Sequence, residues 1–179
     1  MENTQTPQVN PLVQKYAAAR SNLITMLVLT VLNIVLLVAD ANYMLLFSAT
    51  VPYAATVMAM EFGLFPGLEG YMYTAIAVAV VCLALYLVCW LLSKKNVIWM
   101  IVAFALFILD TAYMAYIYIS AGEASGFLDI LIHALILYYL FVGVISGIKL
   151  KKQLEEDVSA EATVTETDSA DTDTVDTEQ

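Results

Sequence analysis

Three ionisable side chains lie within long apolar stretches of the sequence: Asp110, Asp129 and His133. If these stretches cross a membrane, each of the three is a candidate functional residue, because charge is costly in the hydrocarbon core. Asp129 and His133 are four residues apart, so they share one face of a helix. A carboxylate beside an imidazole could hold a proton, a metal ion or a cationic substrate.

Three further polar residues extend this candidate cluster. Tyr113 lies about one helical turn from Asp110, and Asn33 and Asp40 are two turns apart on an earlier apolar stretch. At a rise of about 1.5 Å per residue, Asp110 lies about 13 Å and His133 about 9 Å below the same membrane surface. We therefore expect an acidic vestibule on that side of the membrane, with an Asp–His pair at its base.

A purely structural role is the competing interpretation of these residues. Asp110 would then hydrogen-bond His133, Tyr113 or Asn33 across helices and hold the bundle together. A metal site has little support, because the chain has a single His and no H-x-x-x-H or H-E-x-x-H motif. The sequence therefore predicts no metal site, no cofactor and no catalytic residue, and the chain is not expected to be an enzyme.

The elements that position these residues are predicted to be membrane-spanning helices. Of the 179 residues, 61% are hydrophobic and 13% are charged, whereas soluble domains have about 45–50% apolar and about 25% charged residues. This composition excludes a soluble globular domain and predicts the lipid bilayer as a partner. The net charge of −10 argues against nucleic-acid binding, which requires clustered Lys and Arg.

Four apolar segments are long enough to span as helices, which takes about 20 residues. They cover about residues 22–40, 73–92, 97–119 and 127–148. A fifth stretch, residues 43–60, contains Pro52. All seven Lys and Arg fall on one side only if this stretch does not span, and cytoplasmic flanks are the ones enriched in these residues.

The predicted fold is an all-α, four-helix transmembrane bundle in the cell membrane, with both termini in the cytoplasm. An interfacial or re-entrant segment lies on the outer side, between the first two spans. Residues 1–20 form a cytoplasmic N-terminal segment, in which Asn10 and Pro11 predict a helix start. Residues 21–150 form the four-span domain.

Residues 151–179 are predicted to form a disordered acidic tail on the cytoplasmic side. The last 25 residues contain ten acids and no basic residue, and such a composition cannot bury enough apolar surface to order the chain. One interpretation is a docking segment for a basic partner protein, switched by phosphorylation. The other is a solubilising tail without a partner.

Gly143 and Gly147 form a G-x-x-x-G motif in the fourth apolar segment. Small residues at this spacing allow two membrane helices to approach closely. The motif therefore predicts either a helix contact within the chain or a face for homo-oligomerisation.

Two short runs carry a resemblance to a known group of proteins. They are residues 10–16, Asn-Pro-Leu-Val-Gln-Lys-Tyr, and residues 45–53, Leu-Leu-Phe-Ser-Ala-Thr-Val-Pro-Tyr. With the span between them, they look like small uncharacterised multi-pass membrane proteins of Gram-positive anaerobic bacteria. The resemblance covers about the first third of the chain. It implies a bacterial inner-membrane location and no activity.

Two functions follow as expectations from these features. The first is a non-enzymatic accessory or assembly protein of the membrane, with its acidic tail in the cytoplasm. The alternative is a small transporter or cation-binding membrane protein that uses Asp110 and His133.

Overall fold

Five helices form the part of the chain that the structure, a computed structural model, describes: residues 10–41, 43, 45, 47–122 and 127–170. They are α1 (Pro11–Val38), α2 (Thr50–Gly63), α3 (Glu69–Leu92), α4 (Ile98–Ala121) and α5 (Phe127–Ala170). These residues contain no strand. All but α2 are long and apolar enough to cross a membrane. The all-α class and the four membrane-length helices are thus confirmed, and the orientation in the membrane stays a prediction.

α1 begins at the Asn-Pro pair that predicted its start. The Asn10 side chain accepts a hydrogen bond from the backbone N–H of Leu12 at 2.9 Å, and Pro11 occupies the first helical position. Both features suit a helix start, because the first N–H groups have no partner within the helix.

The fifth apolar stretch does not form a spanning helix. Its helical part, α2, has 14 residues, which is shorter than the roughly 20 that a span requires. Pro52 lies in the first turn of α2, where its missing N–H breaks no helical hydrogen bond. The helix packs on α3 and α4, so this segment is an addition to the four long helices, as the charge distribution predicts.

The end of the bundle that carries all seven Lys and Arg is here called the basic end. Tyr16 Oη donates to the Ser93 carbonyl at 2.6 Å. Arg20 Nε donates to Ser93 Oγ at 3.0 Å, and Arg20 Nη2 donates to the Trp90 carbonyl at 3.3 Å. The last carbonyls of a helix lack helical partners, and a nearby cation interacts favourably with the helix dipole. Arg20 and Tyr16 of α1 therefore fasten the end of α3.

The two glycines of the G-x-x-x-G motif face other parts of the same chain. A Cβ added at Gly143 would collide with the Cβ of Ala19. At Gly147 it would collide with Val97 and lie 2.7 Å from the Tyr16 ring. The motif therefore lets α5 pack closely against α1 and the start of α4, within one bundle.

α5 continues well beyond the predicted end of the fourth span, to Ala170. Residues 151–159 are all exposed. Two ion pairs of 3.6 Å, Lys151–Glu155 and Lys152–Glu156, join residues four apart, and such pairs stabilise a helix by about 0.2–0.5 kcal/mol each.

This helix differs from the disorder expected for residues 151–179. The preceding span supplies the helical nucleus, so that elongation adds one hydrogen bond for each residue ordered. The structure is thus helical through Ala170, and residues 171–179 lie outside the described part.

Candidate functional site

Asp110 is buried in the bundle and caps the start of α2. Its Oδ2 accepts a hydrogen bond from the Thr50 N–H at 2.9 Å, and its Oδ1 accepts one from the Val51 N–H at 2.7 Å. The N-cap position itself is Ala49, whose side chain makes no capping hydrogen bond. The carboxylate also interacts favourably with the positive end of the α2 dipole. A residue of α4 therefore supplies the cap that the local sequence lacks.

His133 reaches the same turn from α5. Its Nε2 lies 3.3 Å from Thr50 Oγ1 and 3.6 Å from Asp110 Oδ2. Its Nδ1 lies 3.0 Å from the Asp129 carbonyl; we infer that Nδ1 carries a hydrogen, because a carbonyl can only accept. In the neutral ring, Nε2 then accepts from the Thr50 hydroxyl, whereas an imidazolium would face the Asp110 carboxylate. The ring stacks on Phe107, with 5.2 Å between centroids and 7° between planes.

Two polar residues of α1 hold the chain that leads into α2. Asn33 Nδ2 donates to the Leu45 carbonyl at 2.7 Å and to Ser48 Oγ at 2.9 Å, and Asn33 Oδ1 accepts from the Leu45 N–H at 2.7 Å. Thr30 Oγ1 accepts from the Ala49 N–H at 2.8 Å. Both side chains are buried. They pair backbone groups that would otherwise be costly inside an apolar bundle.

Thr30, Asn33, Asp110 and His133 are here called the α2 anchor. They come from α1, α4 and α5 and converge on Leu45 and residues 48–51. Each neutral hydrogen bond contributes about 0.5–1.5 kcal/mol net, and one to a charged group about 1.5–3 kcal/mol. The arrangement is therefore suited to holding a non-spanning segment within the bundle.

Phe47 lies within the anchored segment in a left-handed backbone conformation, with φ 73°. A non-glycine residue in this region costs about 1–2 kcal/mol. Asn33 holds Leu45 and Ser48 on either side of Phe47. These contacts fix the turn, and the Phe47 ring lines a neighbouring cavity.

This cavity has a volume of about 390 Å³ and lies between α2, α4 and α5. His133, Asp129 and Tyr113 all line it. Asp129 Oδ2 accepts a hydrogen bond from Tyr118 Oη at 2.5 Å. Three residues of the predicted cluster thus share one cavity wall. Asp110 instead lines a second cavity of about 210 Å³, on the side of α3.

Asp40 lies outside the cluster to which the sequence assigned it. That assignment assumed that α1 continues to Asp40, but the helix ends at Val38. Asp40 is exposed and has φ 54°, and the N–H groups of Asp40 and Ala41 donate to carbonyls of the last helical turn. This pattern is a Schellman ending. The prediction for Asp40 is corrected accordingly, whereas Asn33 does reach the anchored segment.

Sequence reasoning missed three hydroxyl-bearing residues that take part in the hydrogen bonds of this site. Thr30, Ser48 and Thr50 make the contacts described above. Their hydroxyl groups within apolar stretches were the available signal, since buried hydroxyls need hydrogen-bond partners.

The chemistry open to this site is limited by its hydrogen bonding. Within the described ranges, no group of three or more His, Cys, Asp and Glu residues is arranged to hold a metal ion. Both oxygens of Asp110 are occupied by N–H groups of α2. Compared with known proteins, the chain matches no protein-family model, no curated protein and no solved structure.

Proposed function

We propose that this chain is a non-enzymatic accessory or assembly protein of a bacterial cell membrane, and that its projecting C-terminal helix binds a basic partner protein. The observation that carries the proposal is the continuation of α5 past the basic end as an exposed helix. The exposed part, residues 151–159, is here called the α5 arm. In this proposal both termini are cytoplasmic, so the α5 arm meets its partner there.

The charge of the chain supports this binding mode. Residues 155–179 contain ten acids and no base, which accounts for the whole net charge of −10. Charge of one sign steers a partner of the opposite sign and suppresses wrong partners. A protein with a basic surface is therefore the complementary partner.

The α5 arm also exposes apolar side chains. Leu154 is 58% and Val158 is 65% exposed. Residues four apart lie on one face of a helix, and apolar residues at this spacing are how helices dock into partner grooves. The acids would orient the partner, and these two side chains would be buried on binding.

The α2 anchor supports an accessory protein over the alternative, a transporter that uses Asp110 and His133. To carry a proton or cation, Asp110 would have to release the N–H groups of Thr50 and Val51. Unpaired N–H groups in an apolar bundle are costly. We therefore propose a structural role for the α2 anchor, which holds residues 43–60 as a re-entrant segment.

Photo-cross-linking in native membranes tests the docking proposal. We expect a photoreactive residue at Val158 to capture a basic protein, and one at Val81 of α3 not to capture it. Val81 is also exposed in the bundle, at 55%, and would face lipid. Neutralising Glu155, Glu156 and Asp157 together should abolish the adduct.

A control variant removes the same ion pairs within the helix by neutralising their basic members instead of their acidic members. Replacing Lys151 and Lys152 by Gln removes both pairs with Glu155 and Glu156 but leaves the arm more acidic. This variant should retain the adduct. Equal capture at Val158 and Val81, or an adduct that survives loss of the three acids, would contradict the proposal.

A further inference from the structure

We propose that the cavity between α2, α4 and α5 binds a small organic ammonium cation, with Asp129 as its counter-ion. This site lies far along α5 from the α5 arm and does not depend on the accessory function. The proposal uses the cavity wall that His133, Asp129 and Tyr113 share.

The size and lining of the cavity suit such a ligand. Its volume of about 390 Å³ falls in the range of about 300–1,000 Å³ that is usual for small-molecule sites. Four aromatic rings line it, from Phe47, Tyr53, Tyr113 and Tyr118. Aromatic faces attract quaternary ammonium groups by cation–π interaction, so the wall favours an alkylated cation over a hydrated metal ion.

The charge balance at the cavity also favours a cation. Asp129 is half-buried and has the Tyr118 hydroxyl on one oxygen. In the described part of the chain the Lys and Arg ion pairs are those of Glu155 and Glu156, so Asp129 has no Lys or Arg partner there. Leaving a carboxylate without such a partner beside apolar surface is unfavourable.

No Lys or Arg of the chain lies at the end of the bundle where Asp129 is found. All seven Lys and Arg belong to the basic end, and the short connection that precedes α5, residues 122–126, contains no basic residue. His133 also lines the cavity, and its neutral form adds no charge. An external cation would therefore complete the charge balance at Asp129.

Equilibrium dialysis with labelled benzyltrimethylammonium tests the proposal. The full-length protein is placed in phosphatidylcholine nanodiscs, and empty nanodiscs give the background. We expect saturable binding that unlabelled tetraethylammonium displaces and that uncharged benzyl alcohol leaves unchanged. Binding no greater than in empty nanodiscs, or equal displacement by benzyl alcohol, would overturn the proposal.

Matched variants locate the site. Asp129→Asn should weaken binding by about thirtyfold, which is the lower end of the effect of removing one partner from a charge pair. Glu69→Gln removes one negative charge from an exposed position outside the cavity lining and should leave binding unchanged. Equal affinity of these two variants would refute the role of Asp129.

A second pair of variants keeps the proposal testable if Asp129→Asn fails to fold. Tyr113→Leu removes a ring from the cavity wall and should weaken binding by about two- to thirtyfold, the range of a cation–π contact. Tyr113→Phe retains the ring and should bind like the wild type. If the Leu variant binds as tightly as the Phe variant, the aromatic wall does not recognise the cation.

Discussion

Replacing Asp110 by Ala removes the acceptor of two backbone N–H groups at the start of α2. The distances of 2.9 and 2.7 Å to Thr50 and Val51 indicate two well-formed hydrogen bonds to a carboxylate. Bonds to charged groups contribute about 1.5–3 kcal/mol each, whereas interhelical side-chain bonds measured in a membrane protein average about 0.6 kcal/mol. We expect the free energy of unfolding to fall by about 2–4 kcal/mol, between these limits.

Asp110→Asn is the informative intermediate. Its side-chain oxygen can still accept one of the two hydrogen bonds, but the charge that favours the α2 dipole is gone. We expect about half of the loss seen for Asp110→Ala. A group that serves transport alone would give the opposite pattern, with unfolding free energy near the wild-type value and flux abolished.

Reversible unfolding in mixed micelles of dodecyl maltoside and dodecyl sulfate measures these differences. Glu61→Gln is the matched control, because Glu61 is an exposed acid on α2 itself and is absent from the hydrogen bonds and the ion pair of the α2 anchor. Surface changes of this kind usually stay within about 0.5 kcal/mol. The anchoring account is refuted if Asp110→Ala falls in the same interval as Glu61→Gln.

Two further predictions concern the packing of α1. Gly143→Ala should lower the free energy of unfolding by about 1–3 kcal/mol, because the added Cβ would collide with the Cβ of Ala19. A second substitution, Ala19→Gly, should restore the stability. Gly70→Ala is the control, since no atom lies within 4 Å of the Cβ added there. Altered oligomeric state with unchanged stability would instead indicate a face between chains. Arg20→Lys keeps the positive charge but cannot donate the two hydrogen bonds that Arg20 makes to Ser93 and Trp90. In the same assay it should lower the free energy of unfolding by about 1 kcal/mol. An unfolding free energy equal to that of the wild type would show that only the charge matters at this position.

The features predictable from sequence are those with a local or compositional signal. Apolar length predicts the four long helices, and Asn10-Pro11 predicts the start of α1 through a contact two residues away. The distribution of Lys and Arg correctly separates residues 43–60 from the spans. Each of these properties follows from neighbouring residues or from the solvent, so no tertiary contact has to be known.

The partner of Asp110 could not be predicted in this way. The carboxylate binds backbone groups 59 and 60 residues away, and backbone N–H groups carry no sequence signal. An indirect signal did exist: the N-cap position of α2 is Ala49, whose methyl side chain cannot accept a capping hydrogen bond. The N–H groups at a helix start without its own cap need an acceptor from elsewhere in the structure. A buried carboxylate is a suitable acceptor.

The ends of α1 and α5 show how weak boundary signals are. Asp40 adopts the left-handed conformation that glycine usually provides at a helix end, so the end of α1 is not marked in the sequence. The acidic composition after Lys152 predicts disorder, but Lys151–Glu155 and Lys152–Glu156 pairs support a helix that the membrane span has already begun.

Amide hydrogen exchange at Thr50 and Val51 in lipid nanodiscs shows whether Asp110 holds the start of α2 inside the bundle. We expect slow exchange at both amides in the wild type, comparable with the interior of α4, and a marked acceleration at both in Asp110→Ala. Fast exchange at these amides in the wild type, or equal exchange in the two proteins, would contradict this role of Asp110.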